Sequence, residues 1–338
     1  MLTLTNNVSL LHYNTFGIAV EADNFVVLSS LDELAQLYEM CKQFHQCNVL
    51  GGGSNILLTG NITGITILNQ LKGIEVIKED NENIWVKAFA GEKWNDLVQY
   101  CLQNNYAGIE NLSLIPGSVG AAPIQNIGAY GVELKDVLEN VETFLIHENT
   151  IKHFSNKECA FGYRDSIFKT TYKNKAIVIS ITLKLSKTPK LIIGYGSLQN
   201  QLQHMGIEKP TIQQLAEAVN IIRTSKLPDP AKIGNAGSFF KNPTISKFRL
   251  HVLSEQYEDI PGFGLDDMHF KISAAWLIEK CGWKGVREDN VGCNPLQPLV
   301  IVNYGGATGK EVFEFSEKIV QSVQKKFGIV LEREVNVW

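Results

Sequence analysis

The spacing of hydrophobic residues predicts the helices of this chain. Apolar side chains separated by three or four residues define one face of each of five segments, residues 30–41, 94–101, 211–223, 274–281 and 308–327. Three of these segments begin with a capping pair, in which two side chains satisfy backbone N–H groups at the helix start: Ser30 with Glu33, Thr211 with Gln214, and Thr308 with Glu311. Gly282 and Gly328 follow the last two segments, where glycine commonly ends a helix.

The other patterned segments predict strands. Residues 47–50 form a short buried run, residues 56–90 form short β-rich runs separated by turns, and strands dominate again up to Leu185. A last strand is predicted over residues 329–337, where alternation places Glu332, Glu334 and Asn336 on the polar face. The prolines at 228 and 230 forbid regular structure and mark a boundary. Together these segments predict an α+β protein.

Composition and charge narrow the class of protein. The chain has 338 residues, of which 44% are hydrophobic and 20% charged, as is typical of a globular protein with two or three domains. A net charge of −4 argues against a general nucleic-acid binder but not against a small anionic ligand. The six cysteines form no Cys-x-x-Cys pair, and the longest apolar run, 176–185, is too short to cross a bilayer. We therefore expect a cytoplasmic protein with reduced cysteines.

The segment 116–131 is the most distinctive part of the sequence. It reads PGSVGAAPIQNIGAYG, with four glycines and no charged residue. An anionic or planar ligand held there would be bound by backbone N–H groups and by the amides of Gln125 and Asn126, as in sites for a dinucleotide pyrophosphate or a flavin ring edge. A long surface loop is the alternative, but such loops seldom combine so many small residues with Ile124, Ile127 and Tyr130.

A second glycine-rich motif, Gly51-Gly52-Gly53-Ser54-Asn55, follows the strand at 47–50. Successive N–H groups there could cradle a phosphate. The chain continues as β structure from Ile56, so it lacks the helix that a dinucleotide-binding βαβ fingerprint requires. Residues 305–310 resemble a P-loop only superficially, because the spacing is one residue short, and they predict the start of a helix instead.

Arg164 lies in a short turn, Tyr163-Arg164-Asp165-Ser166, flanked by aromatic and apolar residues. The spacing slightly favours a surface turn in which Arg164 pairs with Asp165 or faces solvent. The alternative is an arginine held in apolar surroundings to bind a carboxylate through two hydrogen bonds.

Two further residues could take part in chemistry. Ser238 lies between Gly237 and two phenylalanines, but most serines beside glycines form turns, so a role as proton donor needs support from elsewhere. No Gly-x-Ser-x-Gly elbow is present, which argues against a hydrolase triad. Glu334 falls on the polar face of the last strand, where a solvated carboxylate is the simpler interpretation. The seven histidines show no metal-like pairing, so no metal site is expected.

Seven segments, in order, resemble the UDP-N-acetylenolpyruvoylglucosamine reductase (MurB) family. They are residues 14–16, 50–55, 110–117 continuing into 125–131, 161–166, 223–228, 237–243 and 334–335. The resemblance covers nearly the whole chain, and the 110–131 block and the run Gly-Ser-Phe-Phe-Lys-Asn-Pro at 237–243 are highly specific for the family. Two segments depart from it. Asn336-Val337-Trp338 stands where members usually carry a basic residue and a glycine, and residues 284–298 match poorly.

The resemblance implies a fold. A two-part FAD-binding domain of the vanillyl-alcohol-oxidase (PCMH) type is expected, with a third α+β domain that closes over the substrate. The implied boundaries are 1–70 for the first FAD-binding subdomain, on which a C-terminal strand at 329–338 is expected to pack, 71–220 for the second, and 221–328 for the substrate domain. An insertion near 190–205, containing Gly194-Tyr195-Gly196, resembles the lid of the type I subfamily.

The resemblance also implies an activity. NADPH reduces FAD and leaves, and UDP-N-acetylglucosamine enolpyruvate then enters the same cleft and is reduced to UDP-N-acetylmuramate for peptidoglycan. Hydride adds to the terminal methylene of the enolpyruvyl ether, and negative charge develops on the adjacent carbon and its carboxylate. A monomeric cytoplasmic enzyme without a nucleic-acid partner or membrane insertion is expected.

Site residues are implied by position within the matching motifs. Arg164 and Glu334 would bind and polarise the carboxylate, and Ser238 would deliver the proton opposite the hydride, with Lys241 or a water assisting. Glu334 could help only if it were protonated or hydrogen-bonded to Arg164. The implied cofactor contacts are Gly51, Gly52, Gly53, Ser54, Asn55, Ile115, Pro116, Gly117, Gly120, Ala121, Ala122, Gln125, Asn126, Gly128, Ala129 and Arg223. The implied substrate contacts are Tyr163, Tyr195, Lys226, Asn242 and Gln297.

Three other functions compete with this one. An alcohol or sugar oxidase of the same fold often attaches FAD covalently through His or Cys, and neither glycine-rich segment contains one. A non-catalytic nucleotide-sugar binding protein would need the cleft without a flavin or an acid. A Rossmann dehydrogenase is the weakest rival, because the strand-turn-helix context is missing.

Overall fold

The computed structural model describes all 338 residues, and they divide into two units. Unit 1 comprises Met1–Ser9, Glu21–Gly53 and Ile62–Ser225, and unit 2 comprises Leu10–Val20, Ser54–Asn61 and Lys226–Trp338. The helices are Leu34–Cys41 (α1), Trp94–Gln103 (α2), Gly196–His204 (α3), Ile212–Lys226 (α4), Lys247–Ser254 (α5), Ala274–Lys280 (α6) and Gly309–Phe327 (α7).

The strands are Thr5–Ser9 (β1), Glu21–Leu28 (β2), Cys47–Leu50 (β3), Ile56–Leu57 (β4), Ile62–Asn69 (β5), Ile74–Glu79 (β6), Asn83–Phe89 (β7), Gly128–Ala129 (β8), Val132–Glu133 (β9), Leu138–Leu145 (β10), Thr150–Ser155 (β11), Ala176–Ser186 (β12), Gly234–Ser238 (β13), Thr244–Ser246 (β14), Gly262–Gly264 (β15), His269–Ile272 (β16), Arg287–Glu288 (β17), Val291–Cys293 (β18), Val300–Asn303 (β19) and Asn336–Val337 (β20).

Unit 1 contains two large sheets of different topology. The first has the order β1-β2-β5-β3, in which β1 is antiparallel to β2 and the other pairs are parallel. The second is antiparallel throughout, with the order β11-β10-β12-β7-β6. Its central strand β12 is buried on both faces: Ile177 and Ile179 pack with α1 and the first sheet, and Val178 and Leu183 pack with α2.

Unit 2 is built around a four-stranded antiparallel sheet, β13-β19-β18-β17, and a three-stranded sheet, β14-β16-β15. Helix α7 buries one stripe of apolar residues, Val312, Phe315, Ile319, Val323 and Phe327, as its spacing predicts. It ends at Gly328, whose φ of 64° lies in the left-handed region.

The α+β class and all five predicted helices are confirmed, and so are the three capping pairs. Helices α3 and α5 were not predicted. The prediction of one strand over 329–337 is wrong, because only Asn336–Val337 is a strand there, and it pairs with β4 in parallel. None of the helices is long and apolar enough to cross a lipid bilayer.

Candidate functional site

The two glycine-rich segments of unit 1 lie directly against each other. A side chain added at Gly52 would place its Cβ 3.0 Å from the Cα of Gly117, and one added at Gly51 would lie 2.3 Å from the Ser118 hydroxyl. Backbone therefore meets backbone here, and only glycine permits this approach. The two segments are separate motifs in the sequence, whereas the fold brings them into contact.

Several backbone N–H groups at this contact have no hydrogen-bond acceptor in the protein. The N–H groups of Gly51, Gly52, Gly117 and Ser118 donate to no acceptor within the protein. Adjacent N–H groups of this kind form a concave site for an anion such as a phosphate. The donor set matches the ligand type expected for both motifs.

The start of α2 fixes the second segment. The N–H of Trp94 donates to the carbonyl oxygen of Gly117 at 3.0 Å, and the N–H of Gly120 donates to Ala90 at 2.9 Å. A Cβ at Gly120 would lie 2.5 Å from the Cβ of Ala90, so this position also requires glycine. Ala122 is buried in the core of unit 1, which leaves only its backbone for a cofactor.

Asn126 is fully engaged within the protein. Its Nδ2 donates to Glu133 Oε2 at 3.0 Å and to the carbonyl oxygen of Gly162 at 3.1 Å, and its Oδ1 accepts from the N–H of Lys135 at 3.0 Å. The side chain is completely buried, and the backbone has a positive φ of 44°. The expectation that the Asn126 amide serves as a ligand donor is thus corrected: the amide holds the neighbouring turn in place.

That turn carries Arg164. Its guanidinium donates to the carbonyl oxygens of Gly128, at 2.6 Å, and Asn126, at 3.4 Å. The segment is a turn, as the spacing favours, and the guanidinium is held by backbone carbonyl oxygens. The φ of Arg164 is 55°, a strained value for a residue with a Cβ, and Ser166 ties the turn to the segment by donating to Ile124 at 2.8 Å.

Two aromatic residues and a second arginine lie close to this segment. Tyr195 packs edge-on against Tyr130, with ring centroids 5.6 Å apart. Burial lowers the pKa of Arg223, and the nearby Arg164 lowers it further, while Tyr130 opposes the shift. The Nε of Arg223 has no hydrogen-bond partner in the protein. A half-buried cation of this kind favours an anionic ligand.

In unit 2, the segment after Ser238 pairs through its backbone with the segment that contains Glu334. The N–H of Glu334 donates to the carbonyl oxygen of Phe239 at 2.9 Å, and the N–H of Lys241 donates to Glu332 at 2.9 Å. Ser238 ends β13 after Gly237, whose φ is 69°. Glu334 is therefore paired with the residue that directly follows Ser238, next to a kink in the strand.

The backbone of Glu334 is held from a second side by Asn55. Asn55 Nδ2 donates to the carbonyl oxygen of Glu334 at 3.3 Å, and Asn336 donates to the Asn55 carbonyl from its backbone N–H at 3.1 Å and from its Nδ2 at 3.0 Å. Asn336, the departure from the family pattern, thus supports this segment. The ammonium of Lys241 pairs with Glu332, so its suggested role beside Ser238 finds no support.

The predicted substrate contacts are spread over both units. Asn242 Oδ1 accepts from the N–H of Ala274 at 2.9 Å at the start of α6, which leaves its Nδ2 as donor. Gln297 lies in a turn capped by Asn294, and Lys226 ends α4. Tyr163 faces the guanidinium of Arg164, 5.4 Å from the ring centre.

Ser118 and Asn111 were not predicted from the sequence. The N–H of Ser118 has no acceptor within the protein, and its hydroxyl fills the space over Gly51. Asn111 is buried and donates to two carbonyl oxygens in different segments, Tyr130 and Ile192. Two adjacent polar residues, Glu110 and Asn111, between the apolar residues Ile109 and Leu112 were the signal that could have identified it.

Comparisons with known proteins agree with this geometry. A family model described as UDP-N-acetylenolpyruvoylglucosamine reductase, C-terminal domain, matches residues 229–338, and one described as FAD binding domain matches residues 22–155. The UDP-N-acetylenolpyruvoylglucosamine reductase of Amoebophilus asiaticus is 48% identical over 99% of this chain and 99% of its own length. That of Flavobacterium johnsoniae is 43% identical, again over 99% of each chain.

A solved structure is similar over the full length. The crystal structure of UDP-N-acetylenolpyruvylglucosamine reductase (MurB) from Thermus caldophilus matches with a TM-score of 0.69 and 26% identity, covering 100% of both chains.

Proposed function

Because this chain belongs to the UDP-N-acetylenolpyruvoylglucosamine reductase (MurB) family of FAD-dependent oxidoreductases, we propose that it reduces UDP-N-acetylglucosamine enolpyruvate to UDP-N-acetylmuramate with electrons from NADPH. FAD is the cofactor, and NADPH and the nucleotide sugar would use the same cleft in turn. When bound, FAD would supply the hydride chemistry between NADPH and the methylene carbon of the enolpyruvyl ether.

The donor set of unit 1 fits FAD. The four N–H groups of Gly51, Gly52, Gly117 and Ser118 would hold the diphosphate of the cofactor, since they lack protein acceptors and lie in adjacent segments. The backbone of residues 115–131 would lie along the ring. Hydrogen bonds to the start of α2 fix the position of this backbone, so its N–H donors are rigid before the cofactor binds.

Arg164 would bind the carboxylate of the substrate. Its guanidinium is positioned by two carbonyl oxygens, so the charge is fixed before negative charge develops on the substrate. A preorganised cation stabilises the transition state without any reorganisation during the reaction. Arg223 would add a second positive charge on the same unit.

The observation that supports the proposal is the backbone hydrogen bond from Glu334 to Phe239, the residue that follows Ser238. Ser238 would donate its proton to the carbon that bears the carboxylate, on the face opposite the hydride. Glu334 would donate a hydrogen bond to the developing enolate, which requires the protonated carboxyl group.

The remaining contacts would select the nucleotide sugar. Lys226 and Asn242 would bind the diphosphate, Tyr163 and Gln297 would contact the sugar portion, and Tyr195 would close over the substrate from the insertion near 190–205. The three-part division at residues 70 and 220 belongs to the same proposal. We place the reaction in the cytoplasm, where its nucleotide substrates are available, and propose a monomer.

Anaerobic absorbance spectroscopy tests the function. Bound FAD should bleach with NADPH and regain its colour with the enolpyruvyl UDP-sugar. Ser238→Ala should leave bleaching within about twofold of wild type and slow the return of colour by roughly 10²–10⁴-fold. Ser254→Ala, an exposed serine of unit 2, is the matched control.

Two results would overturn the proposal. Flavin that bleaches but is not reoxidised by the sugar would keep the fold and refute the substrate. Equal slowing of both half-reactions by Ser238→Ala would refute Ser238 as the proton donor.

A further inference from the structure

Asn111 connects two segments of unit 1 that lie far apart in sequence. One hydrogen of its Nδ2 goes to the carbonyl oxygen of Tyr130 at 2.9 Å, and the other goes to the carbonyl oxygen of Ile192 at 2.8 Å. Both neighbours can only accept, so the nitrogen must face them. Tyr130 belongs to the glycine-rich segment, and Ile192 precedes Tyr195 by three residues.

The residue is retained at an energetic cost. Asn111 is 1% exposed, and its Oδ1 has no hydrogen-bond partner. A buried oxygen without a donor costs about 1–3 kcal/mol, so a leucine of similar size would suit the core alone better. The two donations account for the presence of asparagine.

The Tyr130 end of this bridge is a strained turn. Tyr130 has a φ of 49° and Gly131 a φ of 86°, so the carbonyl of Tyr130 leaves the segment in an unusual direction. The donation from Asn111 compensates for this conformation. A Cβ at Gly131 would lie 3.2 Å from Ile192, which shows how closely the insertion approaches the turn.

The Ile192 end leads directly to Tyr195. Tyr195 is the N-cap residue of α3, and α3 is anchored to α4 by a small core that includes Leu198, Leu202 and Leu215. Tyr195 is 52% exposed, and its ring packs edge-on against that of Tyr130. Between the α3 anchor and the Asn111 bridge, the backbone of residues 193–195 is held at both ends.

We infer that Asn111 is a positioning residue that sets the height of Tyr195 over the Tyr130 turn and thereby determines how tightly the nucleotide sugar is bound. This inference rests on the proposed function, in which Tyr195 closes over the substrate. Asn111 itself would contact neither the substrate nor the reacting atoms.

The first test compares two asparagines with the same local role. Asn156 Nδ2 also bridges two carbonyl oxygens, those of Lys135 and Leu138, but lies outside this cluster. Asn111→Ala should raise the KM for the enolpyruvyl UDP-sugar about tenfold, with flavin reduction by NADPH within about twofold of wild type. Asn156→Ala should lower stability without this KM effect.

A second measurement needs no substrate. Hydrogen–deuterium exchange should quicken at residues 190–197 in Asn111→Ala and not in Asn156→Ala. Asn111→Asp has the same size and, when ionised, loses both donors, so it should show both effects if the alanine variant does not fold. Unchanged exchange at 190–197 in a folded Asn111 variant would overturn the inference.

Combining variants separates positioning from general destabilisation. Asn111→Ala acts through Tyr195, so the double variant with Tyr195→Ala should have a KM no higher than that of the worse single variant. Multiplying effects would contradict the inference. Wild-type flavin that the sugar fails to reoxidise would instead refute the proposed function, whatever the exchange data show.

Discussion

The guanidinium of Arg164 donates a hydrogen bond of 2.6 Å to the carbonyl oxygen of Gly128, and the absence of a side chain at Gly128 permits this approach. A Cβ at this position would lie 3.0 Å from Arg164 Nη1 and 2.8 Å from Glu133 Cγ. The position of the Arg164 guanidinium therefore depends on the glycine at 128, although 36 residues separate the two.

Gly128→Ala should displace the guanidinium of Arg164. We expect the return of flavin colour with the UDP-sugar to slow at least roughly tenfold, and more than bleaching by NADPH, because a misplaced cation stabilises the transition state less well. Stopped-flow absorbance measures both steps. Gly162→Ala is the matched control in the same turn, since its Cβ would make an ordinary contact of 3.5 Å with Asp165. Similar rates in the two variants would refute the coupling.

Gly52→Ala should weaken FAD binding. Its Cβ would lie 3.0 Å from Gly117 Cα and 3.4 Å from the Ser118 nitrogen, and backbone atoms cannot move aside as a flexible side chain could. Separating the segments disperses the N–H donors, so we expect the Kd for FAD to rise roughly tenfold or more. Titration followed by quenching of flavin fluorescence measures this. Gly60→Ala, where a Cβ meets nothing within 4 Å, should bind FAD normally; equal Kd values would contradict the anion site.

The helices were predictable because their signals are local. Capping pairs and apolar stripes such as that of α7 depend on residues within one or two turns. Helix α3 was not predicted because its glutamine-rich sequence buries only Leu198 and Leu202. Helix α5 was not predicted because it buries only Leu253. These helices form through tertiary packing that a short sequence window does not contain.

The site was predictable in its residue types but not in its contacts. Alternation over 329–337 resembles a strand, yet the backbone of residues 332–334 forms only an isolated bridge with residues 239–241, and regular pairing begins at Asn336. Asn126 shows the same limit, because an amide in a glycine-rich loop can hydrogen-bond to a ligand or to the protein itself. Its partners Glu133 and Gly162 are chosen by the fold, so the sequence alone could not decide between the two.

Asn126→Asp should destabilise unit 1. The substitution keeps the shape but places a carboxylate oxygen 3.0 Å from Glu133 and removes the donation to Gly162. We expect a loss of about 2–3 kcal/mol in the free energy of unfolding at neutral pH, and a smaller loss at acid pH, where the repulsion is neutralised. Urea denaturation measures it. Adding Glu133→Gln should recover part of the loss; a double variant no more stable than Asn126→Asp would exclude repulsion as the cause.

Glu142 should make unit 1 sensitive to acid. Burial by itself would raise the pKa of Glu142. The hydrogen bonds from Ser180, at 2.7 Å, and Lys87, at 2.9 Å, outweigh burial, and His153 lies 3.9 Å away, so the net pKa is lowered. A lowered folded-state pKa contributes stability that is present above the ordinary value of 4.5 and is lost as the pH falls through the folded-state pKa.

Glu142→Gln should therefore cost about 1–3 kcal/mol of unfolding free energy at pH 7, and the difference from wild type should shrink as the pH is lowered below 4.5. Urea denaturation at several pH values between 3.5 and 7 gives both curves. Glu75→Gln, on the exposed face of edge strand β6 in the same sheet, is the control and should follow the wild-type curve. A constant difference between Glu142→Gln and wild type across this range would mean that the side chain contributes through packing rather than through its charge.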